Sequence, residues 1–404
     1  MKQDSRGLLN YMDNIYNTSN ISAKYKIPQF SEKTTEMVHA FFRKWHHVYC
    51  QWCTLKNSFH IDILREIPKS PDYNYIHSEI RSIIENKCQQ NISFSIQRKH
   101  RIFRIHMCAD KTMSIEELQR RMMWIFMWLA FVNDYVSPTC SNDVNIYMYF
   151  IPHKKNLPEN EIIDQIHVNT AFTTGCQPKT NVHIFREEEW FRALVHESFH
   201  NLGLDFLGIS AYIQQFEEKR IRNVFPVEMS ELRFYETYCE MWAEILNNMV
   251  IVFLNDLPKG RLPLTRWTQQ FKDMLCYEGI FSLWQCVKVL DHNNLTYSKI
   301  MNNPQYASQY KEKTQGFSYY VLKSILMVHV SQFLDFCANQ QSQISLKFRL
   351  NKNTLTKYTD IILQYYDSDK MLHSVKIIEQ KFKKTKKKLL RETLRMSLFE
   401  QDGA

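Results

Sequence analysis

The sequence predicts a helix-rich α+β protein: a small mixed sheet leading into one polar-faced helix, with helical N- and C-terminal parts on either side. Three observations carry this. Glycine is scarce, 8 residues in 404, where ordinary usage would give about 28. Runs alternating apolar and polar residues, the pattern of half-buried strands, cluster between positions 91 and 185. Outside that stretch the patterns are helical, broken by Pro28, Pro68 and Pro71 in the first part.

Taken in order, residues 1–90 read as mostly helical. "ISFSIQ" and "RIFRIHM" (92–107) alternate as strands do. A helix over about 114–133 starts with Ser114 followed by Glu116 and Glu117, a capping-box type of start. It contains "MMWIFMWLAFV" (122–132), too short to cross a bilayer and suited to a buried helix. After Pro138 come three more strands, "VNIYMYFI" (144–151), "HVNTAFTT" (167–174) and "NVHIF" (181–185). A helix is expected from Glu187, with acidic 187–189 at its positive end and Gly203 as its stop. "DLPKGRLPL" (256–264) reads as a linker, with amphipathic helices beyond it. The expected division is 1–90, 91–258 and 259–404.

The net charge of +9 is localised: 376–395 ("KIIEQKFKKTKKKLLRETLR") holds nine Lys or Arg and two Glu, leaving the rest near neutral. Such a basic tail is a solvated helix end or a contact for nucleic acid or an acidic partner. The N-terminus lacks a signal-peptide core, which implies a cytoplasmic setting and free thiols for the ten scattered cysteines. Cys50 and Cys53 form a C-x-x-C pair with no second pair at zinc-ribbon distance, so no metal role is expected there.

The chemistry concentrates in "WFRALVHESFHNLGLDF" (190–206). On a helix, with His196 at 0°, His200 falls near 40°, Ala193 near 60° and Glu197 near 100°, while Phe191, Val195, Phe199 and Leu202 share the opposite face. One face can pack on a sheet; the other presents two imidazoles able to hold one zinc ion and a carboxylate able to take a proton from water. Chance H-E-x-x-H matches amount to only about 0.03 for this length and composition. A third ligand is required. Phe206 stands where a third histidine of another zinc pattern would fall, and Asp205 suits a hydrogen bond to the loop or to a ligating histidine better than the metal. The better source is "FYETYCEMWAEILNN" (234–248), where Glu236, Glu240, Ala243, Glu244 and Asn247 form one helical stripe.

"HESFH" followed some 40 residues later by "EMWAE" resembles the gluzincin zinc peptidases, and the second motif is most similar to that of the lethal-factor-like members. The resemblance implies a zincin-like catalytic core and Zn²⁺ held by His196, His200 and Glu240. It also implies Glu197 as general base and Glu244 behind the ligands, touching a ligating histidine. Glu236 as the ligand, with Glu240 behind it, stays open. Gluzincins commonly stabilise the oxyanion with a Tyr or His beyond the third ligand, which makes Tyr319 and Tyr320 of "GFSYYVLKSIL" candidates. An edge strand lines the cleft in this family, a role open to "HVNTAFTT". From "VNTAFTTG" to "YCEMWAEILN" the chain also resembles uncharacterised zincin-like proteins of large DNA viruses, implying host cytoplasm or virion. The expected function is therefore a zinc endopeptidase acting on protein or peptide. The alternative is a weakly active or inactive zincin-fold scaffold attached to nucleic acid through 376–395.

Overall fold

The structure, a computed structural model, describes residues 1–64, 66–110, 112–229, 231–257, 261–340 and 343–401. It opens with helices α1 (Gln3–Thr18) and α2 (Glu32–Leu55), the short strand β1 (Asp62–Leu64) and α3 (Ser78–Lys87). The alternation in 92–107 becomes the hairpin β2 (Gln90–Arg98) and β3 (Arg101–Ala109), turning at Lys99 with φ +52°. Its register sets Phe94 opposite Ile105 and Ile96 opposite Phe103, all four buried on one face. Next, α4 (Ile115–Val132) crosses over to β4 (Asp143–Phe150), which runs parallel to β3 as a helical crossover requires. The α4 start matches expectation, since the Ser114 hydroxyl accepts the Glu117 N–H at 3.1 Å. Its apolar run is buried except for the half-buried Met123, the state expected of a helix apolar almost all round.

The following segment departs from the sequence reading. "HVNTAFTT" is not one strand. After β5 (Ile163–Asp164), Asp164 and His167 close a capping box around the single-turn helix α5 (Gln165–Val168), and only β6 (Ala171–Thr173) pairs with the sheet. Local side-chain hydrogen bonding to the backbone outcompetes the ladder over 164–168. β6 runs antiparallel to β7 (Lys179–Ile184), itself parallel to β4, so the six-stranded order is β1-β2-β3-β4-β7-β6 with β6 at an edge.

Helix α6 (Trp190–Asn201) then begins three residues later than expected. Glu189 is its N-cap residue, in the left-handed region at φ +59°, and caps nothing with its side chain. The acidic run serves tertiary partners instead: Glu187 pairs with Arg121, Glu188 accepts the Lys155 N–H, and Glu189 pairs with Lys155. Gly203, at φ +63°, ends the helix as expected.

The second half is helical: α7 (Ala211–Val224), α8 (Phe234–Asn255), α9 (Leu264–His292) and α10 (Tyr297–Ile300). Strand β8 (Glu312–Lys313) pairs with β5, and a π-helical turn (Phe317–Leu322) runs into α11 (Lys323–Val328). Then come α12 (Val330–Asn339), α13 (Lys352–Tyr365), α14 (Asp369–Lys384) and α15 (Lys388–Glu392). Part of the expected linker, 258–260, lies outside the described residues. One contiguous core takes side chains from all three expected regions, among them Trp45, Trp128, Trp242, Trp284 and Leu398. No single described helix is long and apolar enough to cross a membrane.

Two sequence expectations are corrected. The cysteines are not all free: Cys140 is bonded to Cys176, while Cys50 and Cys53 stay exposed thiols on α2. The basic stretch is not a loose tail either. Lys383, Lys384, Lys386, Lys387 and Lys388 are exposed where α14 meets α15, but Phe382 and Leu390 are buried. Arg395 is buried too, paired with Glu400 and donating to the Ser5 hydroxyl.

Candidate metal centre

Helix α6 is held on three sides. Its apolar face enters the core, Trp128 of α4 donates to the Ser198 hydroxyl at 2.9 Å, and Trp242 of α8 stacks on Phe199 with ring centroids 6.2 Å apart. At its C-terminus the Asn201 amide donates to the Thr173 hydroxyl (3.0 Å) and the Thr174 carbonyl (3.1 Å), tying the edge strand to the helix.

α8 packs alongside α6 and brings Glu236 to the histidine pair. The His196 Nε2, His200 Nε2 and Glu236 Oε2 atoms form a near-equilateral triangle with edges of 3.2, 3.1 and 3.3 Å. A tetrahedral zinc with bonds near 2.0 Å spreads its ligand atoms about 3.3 Å apart, so the spacing suits one ion capping the triangle. The other imidazole nitrogens face carboxylates: His196 Nδ1 lies 2.9 Å from Glu240 Oε1, and His200 Nδ1 donates to Asp205 Oδ2 at 2.6 Å. The Asp205 bond favours the His200 tautomer whose Nε2 is free for a metal, and Glu240 places a negative charge behind the His196 ring. Two imidazole nitrogens and a carboxylate oxygen converge on one point, where a proton or a metal cation between them offsets their mutual repulsion. The residues present therefore fit a metal ion, and the buried set His196, His200 and Glu236 is positioned to bind one. A neighbouring group, His200, Asp205 and Cys239, does not fit: its separations of 2.6, 3.7 and 3.9 Å are those of a hydrogen bond and two loose sulfur contacts.

The sequence-derived residues thus fall into place with corrections. His196, Glu197 and His200 share the cleft floor as expected. Of the two carboxylates left open, Glu236 reaches the histidine Nε2 atoms. Glu240 does not; it lies behind His196 and accepts from Arg192 Nη1 at 2.6 Å. Glu244 touches no ligating histidine and pairs with Lys323 at 3.2 Å. The whole assignment moves one helical turn toward the N-terminus of α8, about 6 Å. Asp205 takes the supporting role expected of it, because the turn at Gly203 folds the chain back beneath His200. Tyr319 reaches the site, its hydroxyl 3.4 Å from Glu236 Oε2 and its ring edge-on to His196. Tyr320 does not, since its hydroxyl donates to the Leu394 carbonyl at 2.7 Å on the far side of the π-helical turn.

Sequence reasoning missed Arg192, one turn before His196. It links Glu240 to Glu189, whose carboxylate takes Lys155 at 2.7 Å and the N–H groups of Met396 and Ser397. It also missed Tyr235, packed edge-on against His200. The i−4 spacing of Arg192 from His196 was a usable signal; nothing local to 396–397 was.

The open site is a cleft of about 470 Å³. Its floor is His196, Glu197, His200 and Glu236; β6 forms one wall, and Arg233, Tyr235 and Tyr319 stand opposite. Glu197 makes no hydrogen bond or ion pair among the described residues. Burial raises its carboxyl pKa, and the two imidazoles pull it back only partly. For His196 burial acts downward, but Glu240 and then Glu236 outweigh it and raise the ring to about 9.

A metal must displace that proton and the one on His200, whose ring is also held well above its ordinary value, so metal affinity is expected to climb with pH up to and past about 9. The sign is opposite for the metal-free fold. A raised folded-state pKa adds stability that is complete below the ordinary value of 6.5 and fades as pH rises to about 9. Zinc titrations and metal-free melting curves between pH 6 and 9.5, the window set by those two values, test both trends. Comparison with known proteins finds no family model that matches the chain, and no curated protein or solved structure similar to it.

Proposed function

We propose that the chain is a zinc-dependent endopeptidase of gluzincin type, with a zincin-like core, in which His196, His200 and Glu236 hold the ion. The observation that carries this reading is the 3.1–3.3 Å triangle of Nε2, Nε2 and Oε2 beside an unengaged Glu197. Two imidazoles and one carboxylate with an open side are the donor set of catalytic zinc rather than of calcium or magnesium. Zinc, when bound, supplies Lewis acidity and makes hydroxide available near pH 7.

The chain's own groups do the rest. Glu197, ionised and facing the cleft, accepts the proton of the attacking water and passes it to the leaving amine. Its burial, reinforced by Glu236 and Glu240, keeps its basicity above that of an exposed carboxylate. The Tyr319 hydroxyl donates to the oxygen on which negative charge develops. The outer edge of β6, unpaired among the described residues, can take an extended peptide by main-chain hydrogen bonds. Tyr319→Phe is expected to lower kcat by about 10²–10³-fold with little change in KM, the size of effect for one oxyanion donor. Equal kcat in that variant would remove Tyr319 from the reaction.

The direct test is metal analysis of the purified chain, followed by cleavage of a mixed peptide library with and without a chelator. One zinc per chain with chelator-sensitive cleavage is expected. Zinc without cleavage supports the second reading, an inactive scaffold on nucleic acid. The exposed lysines 383, 384 and 386–388 favour that reading, and a salt-sensitive shift of DNA lost on their substitution would test it.

A further inference from the structure

A second large concavity lies apart from the metal cleft. A groove of about 610 Å³ lies between the middle of α2, the end of α4 and the tip of the β2–β3 hairpin, sharing no lining residue with the cleft. Four cations line it: Arg43 and Lys44 from α2, Arg98 and Lys99 from the hairpin. His47 stands beside them, and Asp134 is the single carboxylate.

Asp134 accounts for two of the four. It pairs with Lys44 at 3.1 Å and Lys99 at 3.0 Å, where the carbonyl end of α4 also favours positive charge. The two guanidiniums are left over. Arg43 is exposed and makes no ion pair or hydrogen bond among the described residues. The Arg98 guanidinium stacks on Phe126 and donates to Gln51 Oε1 at 2.7 Å, but its Nε is buried without an acceptor. Lys44 is only 18% exposed, so its charge is partly stripped of water. Burying part of this positive charge against one carboxylate costs energy that an incoming anion would return.

We infer that this groove binds a compact polyphosphate group: two or more adjoining phosphates, as in inorganic pyrophosphate or the phosphate end of a nucleotide. Guanidinium forks match phosphate oxygens in pairs, and two forks plus two ammoniums from separate elements suit a multiply charged anion better than a lone carboxylate. The volume falls within the range of about 300–1,000 Å³ that holds small ligands. Its concavity favours a free polyphosphate over the flat array of a lipid surface.

The test is calorimetric titration of inorganic pyrophosphate into the full chain at about 0.15 M salt, where charges beyond about 8 Å are screened. Saturable binding at one site is expected, weakened at least about tenfold by Arg43→Ala combined with Lys99→Ala. Both side chains are exposed, so the variant is expected to melt with the parent; if it melts earlier, Arg43→Gln alone repeats the measurement. Substituting Lys383, Lys384 and Lys386 by Ala is expected to leave binding intact. No saturation below about 1 mM, unchanged affinity in the Arg43 variants, or loss of binding in the Lys383 variant would each overturn the inference. So would retention on phosphatidylserine vesicles that pyrophosphate fails to compete away.

Discussion

Glu197→Gln is expected to retain one zinc per chain and the parent melting temperature while losing about 10²–10⁴-fold in kcat, the contribution of one positioned base. The amide keeps the size and polarity of the carboxylate but accepts no proton at neutral pH. Glu197 makes no hydrogen bond or ion pair among the described residues, so the amide breaks no direct contact of the fold. This separates mechanism from structure. Turnover equal to the parent's would remove Glu197 as the base, and loss of zinc with activity would make it a metal-holding residue. The measurement is kcat and KM on a cleaved library peptide, alongside zinc content.

The second large effect distinguishes the three carboxylates of α8. Glu236→Gln is expected to weaken zinc binding by more than about 100-fold, because it removes the anionic corner of the triangle. Glu240→Gln is expected to cost about 10–100-fold, the range for a partner that orients a ligating imidazole. Glu244→Gln, against Lys323 and away from the histidines, is expected to leave zinc affinity unchanged while altering stability. Competition with a chromophoric chelator gives the three affinities. A larger loss at Glu240 than at Glu236 would reverse the assignment. Glu240→Gln also removes the charge that Arg192 meets at 2.6 Å and leaves it only Glu189 at 3.4 Å, a partial loss of a buried pair that costs up to about 3–5 kcal/mol of stability. Its unfolding midpoint should therefore fall, and affinity must be read well below that temperature.

Much of the architecture was legible because it depends on local pattern. Alternation over 92–107 and 144–151 gave β2, β3 and β4, since a half-buried strand must alternate and little else in a chain does. The apolar run at 122–132 gave a buried α4. The stretch 167–174 was misread because alternation there was real but brief, and the capping box of Asp164 and His167 offered the backbone a nearer set of partners. The acidic run 187–189 suited a helix start by charge, yet Arg121 and Lys155, distant in sequence, claimed two of its carboxylates, and Glu188 bonded the backbone at Lys155. The Cys140–Cys176 pairing was equally out of reach, since it depends on the loop before β4 and the loop after β6 coming together beside the Gly203 turn.

The sequence by itself determined the face of α6: four-residue spacing sets His196 and His200 on one side with Glu197 beside them, whatever surrounds the helix. It also determined that a carboxylate stripe runs along α8. It could not determine which turn of that stripe meets the histidines, because Glu236, Glu240 and Glu244 shift by only about 40° in direction at each step of about 6 Å along the axis. Tertiary packing, including Trp242 on Phe199 and Arg192 against Glu240, fixes how far α8 slides past α6. Adjacent residues on a helix differ by about 100° in direction, and the path of the π-helical turn sends Tyr319 to Glu236 and Tyr320 to Leu394. Periodicity sets which way a side chain points around its own axis; translation between axes is a property of the packed core.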